Sequence, residues 1–130
     1  MNLVSVYVTD SARILYDLLR EREPVVNISH IEMPTWQQHL AYIASEPYPA
    51  WYLIEVDKFV GAVYLTDRNE IGVFVLKTHQ GKGHGPKAVK LLMELHPRDR
   101  FIANINPGNE RSIKAFTKLG FTHIQNTYAL

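Results

Sequence analysis

The chain has 130 residues, of which 46% are hydrophobic and 21% are charged, and it contains no cysteine. This composition predicts a single globular domain over residues 1–130 and excludes a disordered chain or a disulfide framework. No apolar run approaches the ~18 residues that a membrane helix needs, and no basic and apolar leader follows Met1. We therefore expect a cytoplasmic protein without a membrane partner.

The charged residues are distributed unevenly, although the net charge is only +1. Residues 1–76 carry five Lys or Arg against ten Asp or Glu, whereas residues 77–130 carry nine against three. The net charge itself argues neither for nor against nucleic acid. A basic half could hold an anion and an acidic half a cation, unless the fold interleaves the two halves.

The first half of the chain predicts a strand, two helices and three further strands. Alternation predicts the first strand in LVSVYV, and a helix begins at Thr9 or Asp10. An irregular loop spans Glu23–Pro34. Thr35 and Gln38 have the spacing of a capping box, in which each side chain bonds the other's backbone, so the second helix begins there. WYLIEV, FVGAVYLT and IGVFVL then predict three strands joined by tight turns.

The second half alternates helices with strands. A helix follows three closely spaced glycines, RFIANIN predicts a strand, and NERSIKAFTKLG predicts a helix that ends at Gly120. FTHIQNTYAL predicts a closing strand. The element order β-α-α-β-β-β-α-β-α-β indicates an α/β fold with a mixed sheet.

The glycines Gly81, Gly83 and Gly85 lie just before that helix. A strand, a glycine-rich turn and a helix start make a binding site for an anion, because free N–H groups and the helix dipole point outward and no Cβ obstructs a phosphate. Lys82 and Lys87 add positive charge. The spacing fits neither the dinucleotide-binding pattern nor the nucleotide P-loop, so another phosphate compound is indicated.

Two separate motifs resemble the signatures of the GNAT N-acetyltransferase superfamily. The first is Gln80-Gly81-Lys82-Gly83-His84-Gly85, similar to the Gln/Arg-x-x-Gly-x-Gly/Ala segment that wraps the pyrophosphate of acetyl-CoA. The second is NERSIKAFTKLGF, similar to the later pattern Asn-x-x-Ser/Ala-x-x-x-Tyr-x-Lys-x-Gly-Phe. The resemblance implies an α/β fold with a mixed, mostly antiparallel sheet of about six to seven strands, flanked by about four helices.

The resemblance also implies the residues that bind acetyl-CoA, the acyl donor. The strand before the glycines would pair with the pantetheine arm, the glycine turn would hold the pyrophosphate, and the last helix would contact the arm. A gap between that strand and FIANIN would hold the acetyl group. The residues so implied are Val73, Phe74, Val75, Gln80, Gly81, Lys82, Gly83, His84, Gly85, Asn109, Ser112 and Phe116.

One position departs from the family pattern. Phe116 stands where the family has a Tyr that protonates the departing thiolate, and a phenyl ring cannot donate a proton. A coenzyme A thiol should titrate near the ~8.5 of a cysteine, so the thiolate could leave unaided. Otherwise Tyr128, Tyr64 or Ser112 could supply the proton.

The general base is left open among several residues. Glu32 and His30 fall in the loop that covers the acceptor site in this family, Glu70 begins the strand that would contact the cofactor, and Glu55 flanks a turn. Each of these side chains could instead be merely solvated. No cysteine or carboxylate accompanies the two histidines of the glycine turn, so no metal site is predicted.

The reaction that the resemblance implies is transfer of an acetyl group from acetyl-CoA to a primary amine by direct attack. A small molecule such as an amino sugar is the first choice of acceptor, and a protein N-terminus or lysine is the second. A non-catalytic acyl-CoA-binding module is the alternative from another class, and no nucleic-acid partner is predicted. The short C-terminal segment could leave a sheet edge for a second subunit to cover, so a homodimer is compatible with the sequence.

Overall fold

The computed structural model describes residues 1–21 and 33–130, which form a five-stranded sheet with helices on both faces. The strands are β1 (Asn2–Ser5), β2 (Ala50–Glu55), β3 (Phe59–Leu65), β4 (Glu70–Val75) and β5 (Ile102–Ala103). The helices are α1 (Ala12–Glu21), α2 (Trp36–Ala44), α3 (His84–Leu95) and α4 (Glu110–Lys118), with short 3-10 turns at Val6–Val8 and Lys77–His79.

The strands follow one another across the sheet in chain order. The pairs from β1 to β4 are antiparallel: short turns join β2 to β3 and β3 to β4, whereas the chain between β1 and β2 includes α1 and α2. Strands β4 and β5 are parallel and are joined through α3. The parallel pair is short: Glu70 lies opposite Ile102 and Ile71 opposite Ala103, and there β5 ends. The sheet therefore opens along most of β4.

The two faces of the sheet carry separate apolar cores. On one face Val63 and Leu65 of β3 pack with Val89 and Leu92 of α3. On the other face Ala62 packs with residues of α1, among them Leu18. Since consecutive strand residues point to opposite faces, β3 is buried on both sides, which explains its nearly continuous apolar sequence. By the same alternation, the side chains of odd-numbered residues of β4 point toward α3 and those of even-numbered residues point toward α1.

The predicted fold class is confirmed, but the predicted strand count of six to seven is wrong for the described part of the chain, which has five. The strand expected in FTHIQNTYAL is absent, because residues 122–130 are exposed and contact little: Ile124 is 60% exposed and Tyr128 is 89% exposed. The first helix begins at Ala12 rather than at Thr9 or Asp10, and the end of the first predicted strand is a 3-10 turn.

The C-terminus of α4 explains the Leu-Gly-Phe end of the second motif. The N–H of Gly120 donates to the carbonyl of Thr117, and the N–H of Phe121 donates to the carbonyl of Phe116. Gly120 has φ +100, so the pair of bonds forms a Schellman cap. The rings of Phe116 and Phe121 then meet edge to face at 5.1 Å, which holds Phe116 against the α3 core.

None of the helices in residues 1–21 and 33–130 has the length and apolar character needed to cross a membrane. The two outer strands of the described sheet are β1 and β5. Coverage of an edge by a second subunit stays a prediction.

Candidate functional site

A cleft opens where β5 leaves β4. It has a volume of about 1000 Å³, at the upper end of the range for small-molecule sites. Its walls come from β4, from the glycine turn and the first turn of α3, and from the first turns of α4. Because the gap passes between two strands, the cleft reaches from the α3 face of the sheet to the α1 face.

The edge of β4 presents backbone groups to this cleft. Thr66 N–H donates to the Glu70 carbonyl and Leu76 N–H donates to the Val60 carbonyl. The backbone N–H and C=O groups of the even-numbered residues of β4 therefore point toward β3. The backbone N–H and C=O groups of the odd-numbered residues point the other way, toward β5. Since β5 ends opposite Ile71, the N–H groups of Val73 and Val75 have no strand partner in the described chain. Such an edge accepts another extended amide-bearing chain.

The glycine turn places helix donors at one end of this edge. Gly81 and Gly83 have φ +79 and +80, and a Cβ on either would meet nothing within 4 Å. These glycines are thus required by the backbone conformation, whereas the space beside them is open. The ladder of α3 starts with Lys87 N–H donating to Gly83 O at 3.3 Å, which leaves the N–H groups of His84 and Gly85 outside it.

Basic side chains surround this turn. The pKa of His79 is lowered, mainly by desolvation and further by the neighbouring charges of Lys58 and Lys82. His79 and His84 line the cleft, while Lys82 is exposed and does not. The local potential therefore favours an anion at the same place as the free helix donors.

Helix α4 supplies the opposite wall. Asn109 is its N-cap, and its side-chain oxygen accepts from Ser112 N–H at 3.2 Å. The cap uses that oxygen, so the amide NH₂ is the part of Asn109 that remains for a ligand. Asn109, Ser112 and Phe116 all line the cleft, and Phe116 is only 6% exposed.

On the α1 face, Glu70 lies at the vertex of the gap. Its carboxylate accepts from Asn104 Nδ2 at 2.6 Å and from Thr66 Oγ1 at 3.2 Å. Because Asn104 follows β5, the first bond ties the two strands together where they separate. Both donors are neutral, and no Lys or Arg of residues 1–21 or 33–130 forms an ion pair with Glu70. Its negative charge is available to a cation in the cleft.

An aromatic wall stands beside Glu70. The rings of Tyr48 and Tyr64 stack with centroids 4.1 Å apart and planes within 4°. Tyr64 is paired with Gly72, and a Cβ at Gly72 would overlap the Tyr64 ring. Tyr48 is fixed by Tyr7, whose hydroxyl donates to the Tyr48 carbonyl at 2.7 Å. Gly72 is therefore needed to let the tyrosine ring lie over β4.

The structure brings most of the predicted site residues into this one cleft. Eleven of the twelve residues implied for acetyl-CoA line it, with Lys82 as the exception, and so does Glu70. Glu32 and His30 lie outside the described residues. Tyr128 is 89% exposed and is not part of the cleft lining, so the geometry gives no support to its predicted role. Glu55 accepts from Asn2 at the far side of the sheet.

Several polar or aromatic residues of the cleft were not predicted from the sequence, among them Arg111, Asn104 and Tyr48. Arg111 lies within the second motif, and Asn104 lies in the strand that was expected to form the gap. Their positions offered a signal. Tyr48 offered none, because its place depends on contacts with residues far away in the sequence.

Comparison with known families identifies the family of the chain. The family model described as an acetyltransferase (GNAT) domain matches residues 2–122. The chain belongs to the GNAT acetyltransferase family. The resemblance to this superfamily is thereby confirmed.

Solved structures agree with this fold. A domain from Methanocaldococcus jannaschii DSM 2661 is 20% identical with a TM-score of 0.80, covering 97% of this chain and 90% of its own. The yncA protein of Salmonella typhimurium, solved with its cofactor acetyl-CoA, is 20% identical with a TM-score of 0.72, covering 94% and 80%.

A chimera of the spermidine N-acetyltransferase SpeG from Vibrio cholerae and hSSAT is 15% identical with a TM-score of 0.75, covering 96% of this chain and 84% of its own. A comparison with curated proteins found no match. At these identities the structural likeness establishes the fold, and the acceptor has to be argued from the site itself.

The two glycines that flank the start of α3 should respond differently to alanine. Gly83→Ala should lower the free energy of unfolding by about 1–2 kcal/mol, because a Cβ is strained at φ +80. Gly85→Ala should change it little or raise it by about 0.5–1 kcal/mol, because its Cβ would only reach Val75 Cγ2 at 3.8 Å and alanine favours the helix. Urea unfolding curves of both variants measure this, and equal losses would contradict the assigned turn.

Proposed function

We propose that this chain is an N-acetyltransferase that uses acetyl-CoA to acetylate the primary amine of a small molecule, such as an amino sugar. The observation that carries the proposal is the open edge of β4, which runs from the anion-binding turn to a carboxylate on the other face of the sheet. One cleft thus offers a phosphate site, a strand edge and a cation site in that order.

The residues present fit acetyl-CoA. The free N–H groups of His84 and Gly85, at the start of α3, suit a pyrophosphate, and the glycines leave space for it. The backbone N–H groups of Val73 and Val75 suit the amide carbonyls of the pantetheine arm, and the Asn109 side-chain amide lines the same cleft. When bound there, the cofactor would supply an acyl thioester. The N–H groups along β4 are also suitable donors to a carbonyl oxygen that becomes anionic during transfer.

Glu70 is the group proposed to act on the acceptor. An amine arrives as an ammonium ion, which has no lone pair and cannot attack until it loses a proton. The Glu70 carboxylate attracts that cation and accepts its proton, directly or through a water molecule. Asn104 and Thr66 hold both carboxylate oxygens, so the group keeps one orientation toward the gap.

The shape of the α1 side favours a small acceptor. Leu18, Tyr48, Tyr64 and Phe74 line this side with apolar surface, and the stacked tyrosines make it flat and rigid. An acceptor with a compact ring or chain beside its amine can lie against this surface with its cation toward Glu70. The same carboxylate would also accept a protein N-terminus, which is the second choice of acceptor.

Phe116 supports a different candidate, a non-catalytic acyl-CoA-binding module. This residue cannot protonate a thiolate, and its ring is buried against Phe121. If the chain is an enzyme, the thiolate leaves without an acid at this position, because a thiolate is only moderately basic. In the module reading the cofactor would bind and no acetyl transfer would follow.

A panel of amines tests the function. The chain should release the CoA thiol from acetyl-CoA with at least one small primary amine, and the matching N,N-dimethylated amine should give no release. Amino sugars, polyamines and short peptides with free N-termini form the panel. Binding of CoA without thiol release for any amine would favour the module, and failure to bind CoA would remove both readings.

Glu70→Gln should lower kcat for the best amine by about 100-fold or more, because the amide cannot accept the ammonium proton. The KM for acetyl-CoA should change less than about twofold, since Glu70 lies away from the anion-binding turn. Glu55→Gln removes a carboxylate outside the cleft and should leave both constants unchanged. Steady-state kinetics measures both variants, and a Glu70→Gln enzyme with undiminished kcat would exclude this residue as the base.

A further inference from the structure

A side-chain bridge crosses the cleft at the end of β4. Gln80 Nε2 donates to the carbonyl of Val75 at 2.8 Å, and Arg111 Nη1 donates to Gln80 Oε1. Gln80 belongs to the turn before α3, whereas Arg111 lies in the first turn of α4 on the opposite wall. All three residues line the cleft. The bridge therefore links the two walls through a single neutral amide.

The bridge uses a backbone group that faces the gap. Val75 belongs to the odd-numbered residues of β4, whose carbonyl groups point away from β3. The carboxamide of Gln80 donates to this carbonyl as the amide of a paired chain would. A ligand amide that pairs with this carbonyl, as a neighbouring strand would, takes the position that Gln80 Nε2 occupies. Once Gln80 turns away, Arg111 loses the oxygen to which it donates.

The charge of Arg111 is not explained by the helix that carries it. A cation in the first turn of a helix opposes the helix dipole, so Arg111 does not stabilise α4 by its position. In the described part of the chain, no carboxylate lies within ion-pair distance of its guanidinium. Its neutral partner is weaker than an anion would be, because charge-assisted hydrogen bonds are about twice as strong as neutral ones.

We propose that Arg111 binds a phosphate group of the cofactor, and that Gln80 holds the guanidinium over the cleft until a ligand amide replaces it on Val75. This inference rests on the proposed use of acetyl-CoA. A planar guanidinium with several donors matches phosphate oxygens. The phosphate is either the pyrophosphate linker or the phosphate on the ribose, which differ only in where they sit on the same ligand.

Calorimetry with three ligands tests this assignment. CoA carries both kinds of phosphate, dephospho-CoA lacks the ribose phosphate, and pantetheine has none. Arg111→Gln should weaken CoA binding about 10- to 100-fold, the loss expected for a hydrogen bond between charged groups. Its affinity for pantetheine should stay within about twofold of the wild-type value. If Arg111→Gln does not weaken the binding of dephospho-CoA, Arg111 binds the ribose phosphate. If it weakens that binding as much as it weakens CoA binding, Arg111 binds the pyrophosphate.

Lys114→Gln is the matched control, because it removes the same charge from an exposed position of α4 that does not line the cleft. At one fixed ionic strength it should leave CoA binding within about twofold. The assignment would be overturned if the two variants weakened CoA binding equally, or if Arg111→Gln weakened the binding of CoA and of pantetheine equally. Either result would leave the proposed function in place. Absence of CoA binding by the wild type would instead remove the proposed function.

Circular dichroism and urea unfolding of each variant verify that the fold is kept. Arg111→Lys provides a second test of CoA binding, because lysine retains the positive charge but lacks the planar guanidinium with its several donors. It should bind CoA more weakly than the wild type and more tightly than Arg111→Gln. Affinity equal to that of Arg111→Gln, in a folded protein, would support a geometric rather than a purely electrostatic contact with the phosphate.

Discussion

The architecture of the site depends on one constraint, the early end of β5 against β4. Two residue pairs hold these strands together, and the odd-numbered groups of β4 beyond them face a cleft instead of a neighbouring strand. Backbone groups away from water need hydrogen-bond partners, so an extended ligand with amide groups can complete the sheet there. The proposed cofactor site is therefore a part of the sheet where a strand is missing.

The remaining features are placed around that edge. The glycine turn provides helix donors at its end, and Glu70 marks its beginning, where the Asn104 bond ties the separating strands together. Because the gap passes through the sheet, an anionic ligand can enter from the α3 face and a cation from the α1 face. Glu70 from the acidic first half and the glycine turn from the basic second half thus lie at opposite ends of one cleft.

Much of this arrangement could be predicted from the sequence where the signal is local. The capping box at Thr35 and Gln38 and the terminal Gly120 both follow from residues within one turn, and the structure confirms both. The glycines at positions 81, 83 and 85 likewise predicted a turn and a helix start, and the structure adds that Gly81 and Gly83 have positive φ. Local side-chain patterns determine local backbone conformation, so these predictions need no knowledge of the rest of the fold.

The parts that failed depend on distant contacts. FTHIQNTYAL has β-forming residues, yet it forms no strand, because no strand within residues 1–21 and 33–130 pairs with it. The aromatic wall joins Tyr48 and Tyr64 through a loop and a strand, and only the missing side chain of Gly72 makes room for it. The Gln80–Arg111 bridge connects residues from two walls, of which only Gln80 had been associated with the site.

The most direct measurement is amide hydrogen exchange at Val73 and Val75, with and without CoA. If the cofactor pairs with this edge, CoA should slow exchange of these two N–H groups at least tenfold more than that of the Ala62 N–H, whose slowing reports the general stabilisation by a bound ligand. Exchange at Val73 and Val75 that slows no more than at Ala62 would contradict pairing of the cofactor with the open edge of β4.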